Sequence, residues 1–219
     1  MQRDAQTFLD ALRPELMHGD PETLARVTLE RWTVEQLVEW LDDEDADVRH
    51  AAAFVLGFVG NAEHVPALLA CLQEDDPHLI QFAENSLWSI WFRGGHPVSA
   101  DTFSAGVNAL AEERLDTARD LLRESVRRDP MFAEAHNQLA ICCYLLNDFD
   151  ASRRGCQQAV AINPKHFGAW AGMGHCFLHD GDASAAAACY RRALALHPHL
   201  GNIREALQKL EAAEPAVAE

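Results

Sequence analysis

Three prolines, Pro130, Pro164 and Pro198, stand 34 residues apart. A step of that length marks a supersecondary unit used more than once, since a single helix or strand has no such period. Other positions keep the same step. Gly106, Ala140 and Gly174 coincide, as do Ala109, Cys143 and Phe177, then Ala118, Ser152 and Ala186. Leu122, Cys156 and Tyr190 follow, and then Ser125, Ala159 and Ala193. Small residues recur where two helices of a hairpin cross closely, and larger ones fill the gap to the next helix. Proline cannot continue a helix, so each one marks the bend into the next unit. Polar breaks at residues 114–116, 147–150 and 180–182 divide each unit into two helices.

This pattern resembles the tetratricopeptide repeat family over residues 99–198. The third unit carries the resemblance best, with Trp170, Gly174, Phe177, Tyr190, Ala193 and Pro198. The first departs from it, because Thr102 stands where Trp170 stands in the third. Beyond Pro198, residues 201–213 read as one more amphipathic helix. Ile203, Ala206, Leu207 and Leu210 form its apolar side, and Arg204, Glu205, Gln208 and Lys209 its polar side. A half-polar closing helix is what the open end of a helical stack requires.

The N-terminal half steps by 31. Leu37 and Leu41 match Leu68 and Leu72, and Val48, Ala52 and Leu56 match Leu79, Ala83 and Leu87. The acidic turn 42–47 falls opposite residues 74–78. The stretch from Leu41 through Gly60, and Pro66 in a first helical turn, resemble the short HEAT repeat, which implies two helix pairs over residues 33–93. Upstream, residues 4–17 and 21–31 read as a further helix pair that caps the array. Gly94-Gly95-His96-Pro97 is a linker. Before it, Trp88 and Trp91 replace Gly57 and Gly60 of the preceding unit, with Phe92 beside them; they form local core, a packed junction between the arrays or an exposed ligand surface. The predicted fold is all-α, a solenoid of HEAT-like pairs followed by three tetratricopeptide hairpins and a capping helix, about thirteen helices with no sheet. Its parts are residues 1–93, a linker at 94–98, a repeat domain at 99–213 and a tail at 214–219.

The formal net charge is −16. Residues 1–98 contribute −12 of it and residues 99–219 only −4. An acidic surface repels phosphate backbones and anionic membranes, so neither nucleic acid nor membrane is expected as a partner. The acidic run 42–47 reads as a solvated turn that caps the next helix, the alternative being a surface that attracts a basic partner or a divalent cation. No run of 18 apolar residues occurs, and Met1-Gln2-Arg3-Asp4 begins no signal peptide. The six cysteines have no framework spacing and behave as small hydrophobes of a reducing compartment. The predicted location is cytoplasmic.

Candidate chemistry is sparse. His175 and His179 are four apart on a predicted helix and can face one metal, but no third ligand follows by spacing. Residues 48–57 resemble a helix of the HEAT-repeat di-iron hydroxylases that modify a lysine, where histidine followed by glutamate supplies ligands. Here His50 is followed by Ala51, and the position 31 residues on is Gln81-Phe82. That resemblance implies the packing without the iron chemistry. A likeness to HEAT-repeat bilin lyases is equally general. The glycine-rich stretch 168–174 lies inside a predicted helix, where it permits close helix packing rather than cradling phosphate. No metal and no cofactor are expected.

In the tetratricopeptide fold the first helix of each hairpin lines a concave groove. Helical spacing puts Phe103, Val107, Leu110, Asn137, Ile141, Tyr144, His175 and His179 on that stripe. Family members that clamp a C-terminal carboxylate do so with lysine, arginine and asparagine; Phe103, Val107, Gln138, Gly168 and Gly172 occupy those places here. The groove is therefore apolar to mildly polar and suits an amphipathic helix or extended segment. The expected function is a non-enzymatic protein–protein adaptor or scaffold. The rival reading is a metal-binding or HEAT-type enzyme-related protein using His175 and His179 or the HEAT-like face. Sequence leaves the oligomeric state open.

Overall fold

The computed structural model describes residues 5–12 and 21–213. Among the described residues there are thirteen α-helices and no strand. The helices fall into two compact units, Met1–Arg93 and Gly94–Glu219.

The first unit begins with α1 (5–12) and α2 (Pro21–Leu29). Residue 4 and residues 13–17 of the expected first helix lie outside the described residues. Then come α3 (Val34–Glu39) with a 3₁₀ turn at Trp40–Asp42, α4 (Ala46–Val59), a second 3₁₀ turn at Ala62–His64, α5 (Val65–Cys71) and α6 (Pro77–Phe92). Local chemistry explains the starts. Thr33 caps α3 in a reciprocal box with Gln36, Asp45 caps α4, and Asp76 caps α6 with Pro77 at its first position. Phe8, Trp32 and Trp40 meet at ring separations of 4.7–6.2 Å and close one end of this core. Trp88 and Trp91 pack edge to face at 5.2 Å, Trp91 buried and Trp88 half-buried. Helices α4 and α6 cross at Gly57, where an added Cβ would sit 2.6 Å from Ser86 Oγ. That approach lets Ser86 donate to the Ala53 carbonyl at 2.7 Å and Ser89 to the Gly57 carbonyl at 2.8 Å.

The second unit is a run of hairpins: α7 (Pro97–Ala111) with α8 (Leu115–Arg128), α9 (Ala133–Leu145) with α10 (Phe149–Ile162), and α11 (Phe167–His179) with α12 (Ala183–Leu196). Each helix packs on the next, and α13 (Gly201–Ala213) closes the stack on α12. The 34-residue step is written into the backbone. Glu113, Asn147 and Gly181 all have positive φ, at 57°, 61° and 79°. Each follows the end of a first helix, and the next residue's N–H returns to a carbonyl five residues back: Arg114 to Ala109, Asp148 to Cys143 and Asp182 to Phe177, all at 2.9 Å. This is the Schellman closure, which satisfies carbonyls that a helix end otherwise leaves bare. Asp148 and Asp182 then cap the second helices, while Arg114 at the equivalent place makes no side-chain cap.

Packing follows the residues that share the period. At Gly174 a Cβ would come within 2.4 Å of the Tyr190 ring, so only glycine lets α11 and α12 approach this closely. Tyr190 is fully buried among Ala171, Ala186, Ala187 and Ala193, joined by Ile203 and Leu207 of α13. The closing helix thus inserts two side chains into the core of the third hairpin. A second cluster, Ala140, Cys156, Met173 and Cys189, ties the second hairpin to the third.

Candidate functional site

The first helices of the three hairpins, α7, α9 and α11, carry the residues singled out from sequence, and the structure sorts them into three groups. Asn137, Ile141, Tyr144 and His175 come together around a cavity of about 120 Å³ between α9 and α11. Leu145, Ser152, Cys156, Gly168 and Gly172 complete its lining. Ile141, Tyr144 and Leu145 are 40%, 37% and 52% exposed, so the cavity has an apolar, solvent-facing rim. Val107 and His179 do not line it. Val107 is half-buried, and His179 is exposed with its ring stacked on Phe149 at 3.5 Å. Phe103 is corrected from groove to core: it is only 4% exposed, with its ring 4.6 Å from that of Phe132. The reason is the loop ahead of α9, which brings Phe132 inward over α7.

Asn137 lines the cavity but is itself buried. It is 2% exposed, and its Nδ2 donates to Glu134 Oε1 at 3.2 Å. Gln138 Nε2 donates to the same oxygen at 2.7 Å. The other oxygen, Glu134 Oε2, lies 2.6 Å from His166 Nε2, and both side chains are wholly buried. His166 Nδ1 accepts from the Ala169 N–H at 3.1 Å, capping α11. The ring proton therefore sits on Nε2 and points at the carboxylate. A buried carboxylate held by three donors fixes α9 to the start of α11 on the inner side of the groove. Sequence reasoning missed Glu134 and His166. An acid in the first turn of a helix reads as a surface residue favoured by the helix dipole, and the only available hint was the lone histidine two residues after Pro164.

Burial favours the neutral form of three further groups near the cavity. Burial lowers the pKa of His175, whose Nδ1 lies 2.7 Å from the Tyr190 hydroxyl. Burial pushes Tyr190 up to about 12 and the Cys156 thiol up to about 12. All six cysteines are free and buried. In such a setting the thiols act as packing groups, since the nucleophile is the thiolate. Among the described residues, no group of three or more His, Cys, Asp or Glu side chains is arranged to hold a metal ion.

In the first unit, His50 is engaged by Asp76, Nε2 to Oδ2 at 2.8 Å. That hydrogen bond, with the N–H groups of α6, holds the Asp76 carboxyl down at about 2. Arg49 donates to the carbonyls of Asp43 and Glu44, pinning the acidic turn to α4. The histidine on the HEAT-like helix is thus part of the turn that starts α6. No described helix is long and apolar enough to cross a membrane.

Comparison with known proteins agrees with this architecture. A family model described as HEAT repeats matches residues 34–135, and one described as tetratricopeptide repeat matches residues 133–166. The HEAT match runs past Arg93 through α7 and α8, the hairpin in which Thr102 replaces the tryptophan of the third unit. A TPR repeat-containing protein of Rhizobium etli is 25% identical over 126 residues, 58% of this chain and 62% of that protein. The chain therefore spans less than two thirds of that relative's length. Among solved structures, the first tetratricopeptide domain of Spaghetti (RPAP3) bound to the HSP90 peptide SRMEEVD superposes with a TM-score of 0.52 at 22% identity, covering 53% of this chain and 92% of that one. The Sgt2 domain from Aspergillus fumigatus (TM-score 0.51, 18% identity, 54% and 80% covered) and the Arabidopsis OM64 domain (0.51, 22%, 52% and 95%) are similar. At these identities the likeness shows the fold.

Proposed function

We propose that this chain, which carries HEAT repeats followed by tetratricopeptide repeats, is a non-enzymatic adaptor that holds a peptide or helix of another protein in the groove of its tetratricopeptide unit. The observation that carries this reading is the open cavity between α9 and α11 with its exposed rim of Ile141, Tyr144 and Leu145. Large apolar side chains grouped around a concavity are what a partner's side chain can cover. The relatives of like fold include domains bound to peptides of HSP90 and HSP70, which supports the same use of the groove here. Residues 1–93 and 99–213 act as separate modules, joined at 94–98 and followed by the tail 214–219. The six free thiols support a reducing, cytoplasmic place of work, and the charge of −16 argues against nucleic acid and anionic lipid as partners.

The rival reading, a metal or enzyme site at His175 and His179, has less support. The first ring is paired with Tyr190 and the second is stacked on Phe149. Elemental analysis of the purified protein separates the two readings: one zinc or iron per chain, removed by His175→Ala with His179→Ala, sinks the adaptor. The groove itself is tested by affinity capture from native cytosol with the wild type beside Ile141→Glu/Tyr144→Ala. Both positions are exposed, so the helical signal and melting point should hold. The protein retained by wild type should be absent from the variant's eluate; equal retention moves the binding surface elsewhere.

A further inference from the structure

We propose that the groove selects an uncharged segment, one aliphatic side chain of which enters the cavity while Asn137 Oδ1 accepts a backbone N–H beside it, and that Glu134 is the positioning residue for that amide. This rests on the groove reading above and names the chemistry of its occupant. A carboxylate only accepts, so the Asn137 amide must turn Nδ2 toward Glu134. Its Oδ1 is left without a hydrogen bond in a side chain that is 2% exposed and lines the cavity. An acceptor on a cavity wall is reached by water, and a strand or helix end laid in the groove brings a backbone donor in its place. Gln138, which donates to the same oxygen of Glu134, braces the carboxylate from the other side.

The lining of the cavity contains no Asp, Glu, Lys or Arg. Helices α7, α9 and α11 contain no Lys or Arg at all, and their only acids are Asp101 and the engaged Glu134. His175 and Cys156 add no charge at neutral pH. A carboxylate or ammonium entering here gives up its water for no partner, which is costly. An acidic peptide such as the SRMEEVD bound by Spaghetti therefore finds none of the cations it needs. At about 120 Å³ the cavity falls well below the roughly 300–1,000 Å³ of small-molecule sites and suits one branched aliphatic side chain.

The test is a random twelve-residue phage-display library selected on the full-length chain and counter-selected on Ile141→Glu, with affinities read by fluorescence anisotropy. Enriched peptides should share one Leu, Ile, Val or Met position without a charged residue on either side, and should bind the wild type at least tenfold more tightly than Ile141→Glu. Synthetic SRMEEVD should bind at least tenfold more weakly than the best of them. N-methylation along the best peptide should cost about fivefold to tenfold at one position in the wild type, and little at that position in Glu134→Gln. Asn137→Ala, which leaves Glu134 two of its donors, gives the same comparison if Glu134→Gln does not fold. Peptides that require an acidic residue or a terminal carboxylate, yet still lose affinity in Ile141→Glu, overturn this inference and leave the groove reading standing. Enrichment no greater on wild type than on Ile141→Glu overturns both. An N-methyl penalty unchanged in the variants removes Asn137 and Glu134 from recognition.

Discussion

The buried carboxylate of Glu134 makes a sharp prediction about stability. Truncation to alanine leaves Asn137 Nδ2, Gln138 Nε2 and His166 Nε2 without their acceptor, in side chains that are at most 8% exposed. Hydrogen bonds to a charged group contribute about 1.5–3 kcal/mol each. The sum is not the answer, because alanine also removes a buried charge whose desolvation opposes folding. Each buried donor left without its partner costs about 1–3 kcal/mol, and set against that relief the loss in Glu134→Ala should be roughly 3–5 kcal/mol. Glu134→Gln keeps the volume but offers one acceptor oxygen in place of two, so it should cost roughly 1–3 kcal/mol. His166→Ala should weaken the chain on two counts, through the lost bond to Glu134 and the lost cap of α11.

A double-mutant cycle isolates the pair. Urea denaturation followed by circular dichroism, with the slope unchanged so that only the midpoint moves, gives each free energy. The coupling between Glu134→Ala and His166→Ala should be about 1.5–3 kcal/mol. A single-mutant cost for Glu134→Ala below about 1 kcal/mol, or a coupling within ~0.5 kcal/mol of zero, refutes the reasoning. Either result means that the carboxylate does not tie α9 to α11.

Three further outcomes can be checked. Glu113 holds a left-handed conformation that costs a non-glycine residue ~1–2 kcal/mol; allowing for the extra freedom of unfolded glycine, Glu113→Gly should stabilise by roughly 0.5–1 kcal/mol, and Gly181→Ala should destabilise by a similar amount, both read from thermal melts. Burial raises Cys71, Cys156 and Tyr190 to about 12 and Cys189 to about 11, from unfolded values of 9.0 for the thiols and 10.0 for tyrosine. These groups favour the fold fully below about pH 9 and lose that contribution as pH rises through 11–12, so the melting temperature should fall steeply in that window, and Ellman's reagent at pH 8 should react slowly with native protein and with six thiols after denaturation. Deleting residues 201–219 uncovers the cluster around Tyr190 that Ile203 and Leu207 complete; the truncated chain should aggregate or melt clearly lower, and one that stays monomeric and equally stable shows that α13 is no cap.

What was legible in the sequence is what repeats. Pro130, Pro164 and Pro198 locate the hairpins because proline acts on backbone alone, and Gly174 opposite Tyr190 is legible because a close crossing demands the same small residue in each unit. The positive-φ residues were harder, since only Gly181 declares itself; Glu113 and Asn147 adopt the same turn under the Schellman hydrogen bonds. Phe103 was misplaced because helical spacing alone cannot tell a groove position from one that a neighbouring loop covers. Ile141 and Tyr144, from the same spacing, are exposed at the cavity rim.

The residues that distinguish this groove are those that break the period. One step from Glu134 stand Ala100 and Gly168, and one step from His166 stand Phe132 and Leu200. None of these can form the pair, so the polar tie exists at one interface of the stack. Asn137 has Phe103 and Ala171 as equivalents, and Tyr144 has Leu110 and Leu178. The cavity lies at the same interface, with its acceptor fixed by that tie and its space opened by Gly168 and Gly172. Periodicity builds the scaffold and is blind to such a site, because a pattern found by superposing units discards whatever only one unit has. Among the residues of α9 and α11 outside the 34-residue pattern, Asn137, Ile141, Tyr144, Gly168 and Gly172 line the one cavity, and Glu134 is bonded to Asn137. Residues that depart from the repeat yet converge in space are the ones a partner can recognise.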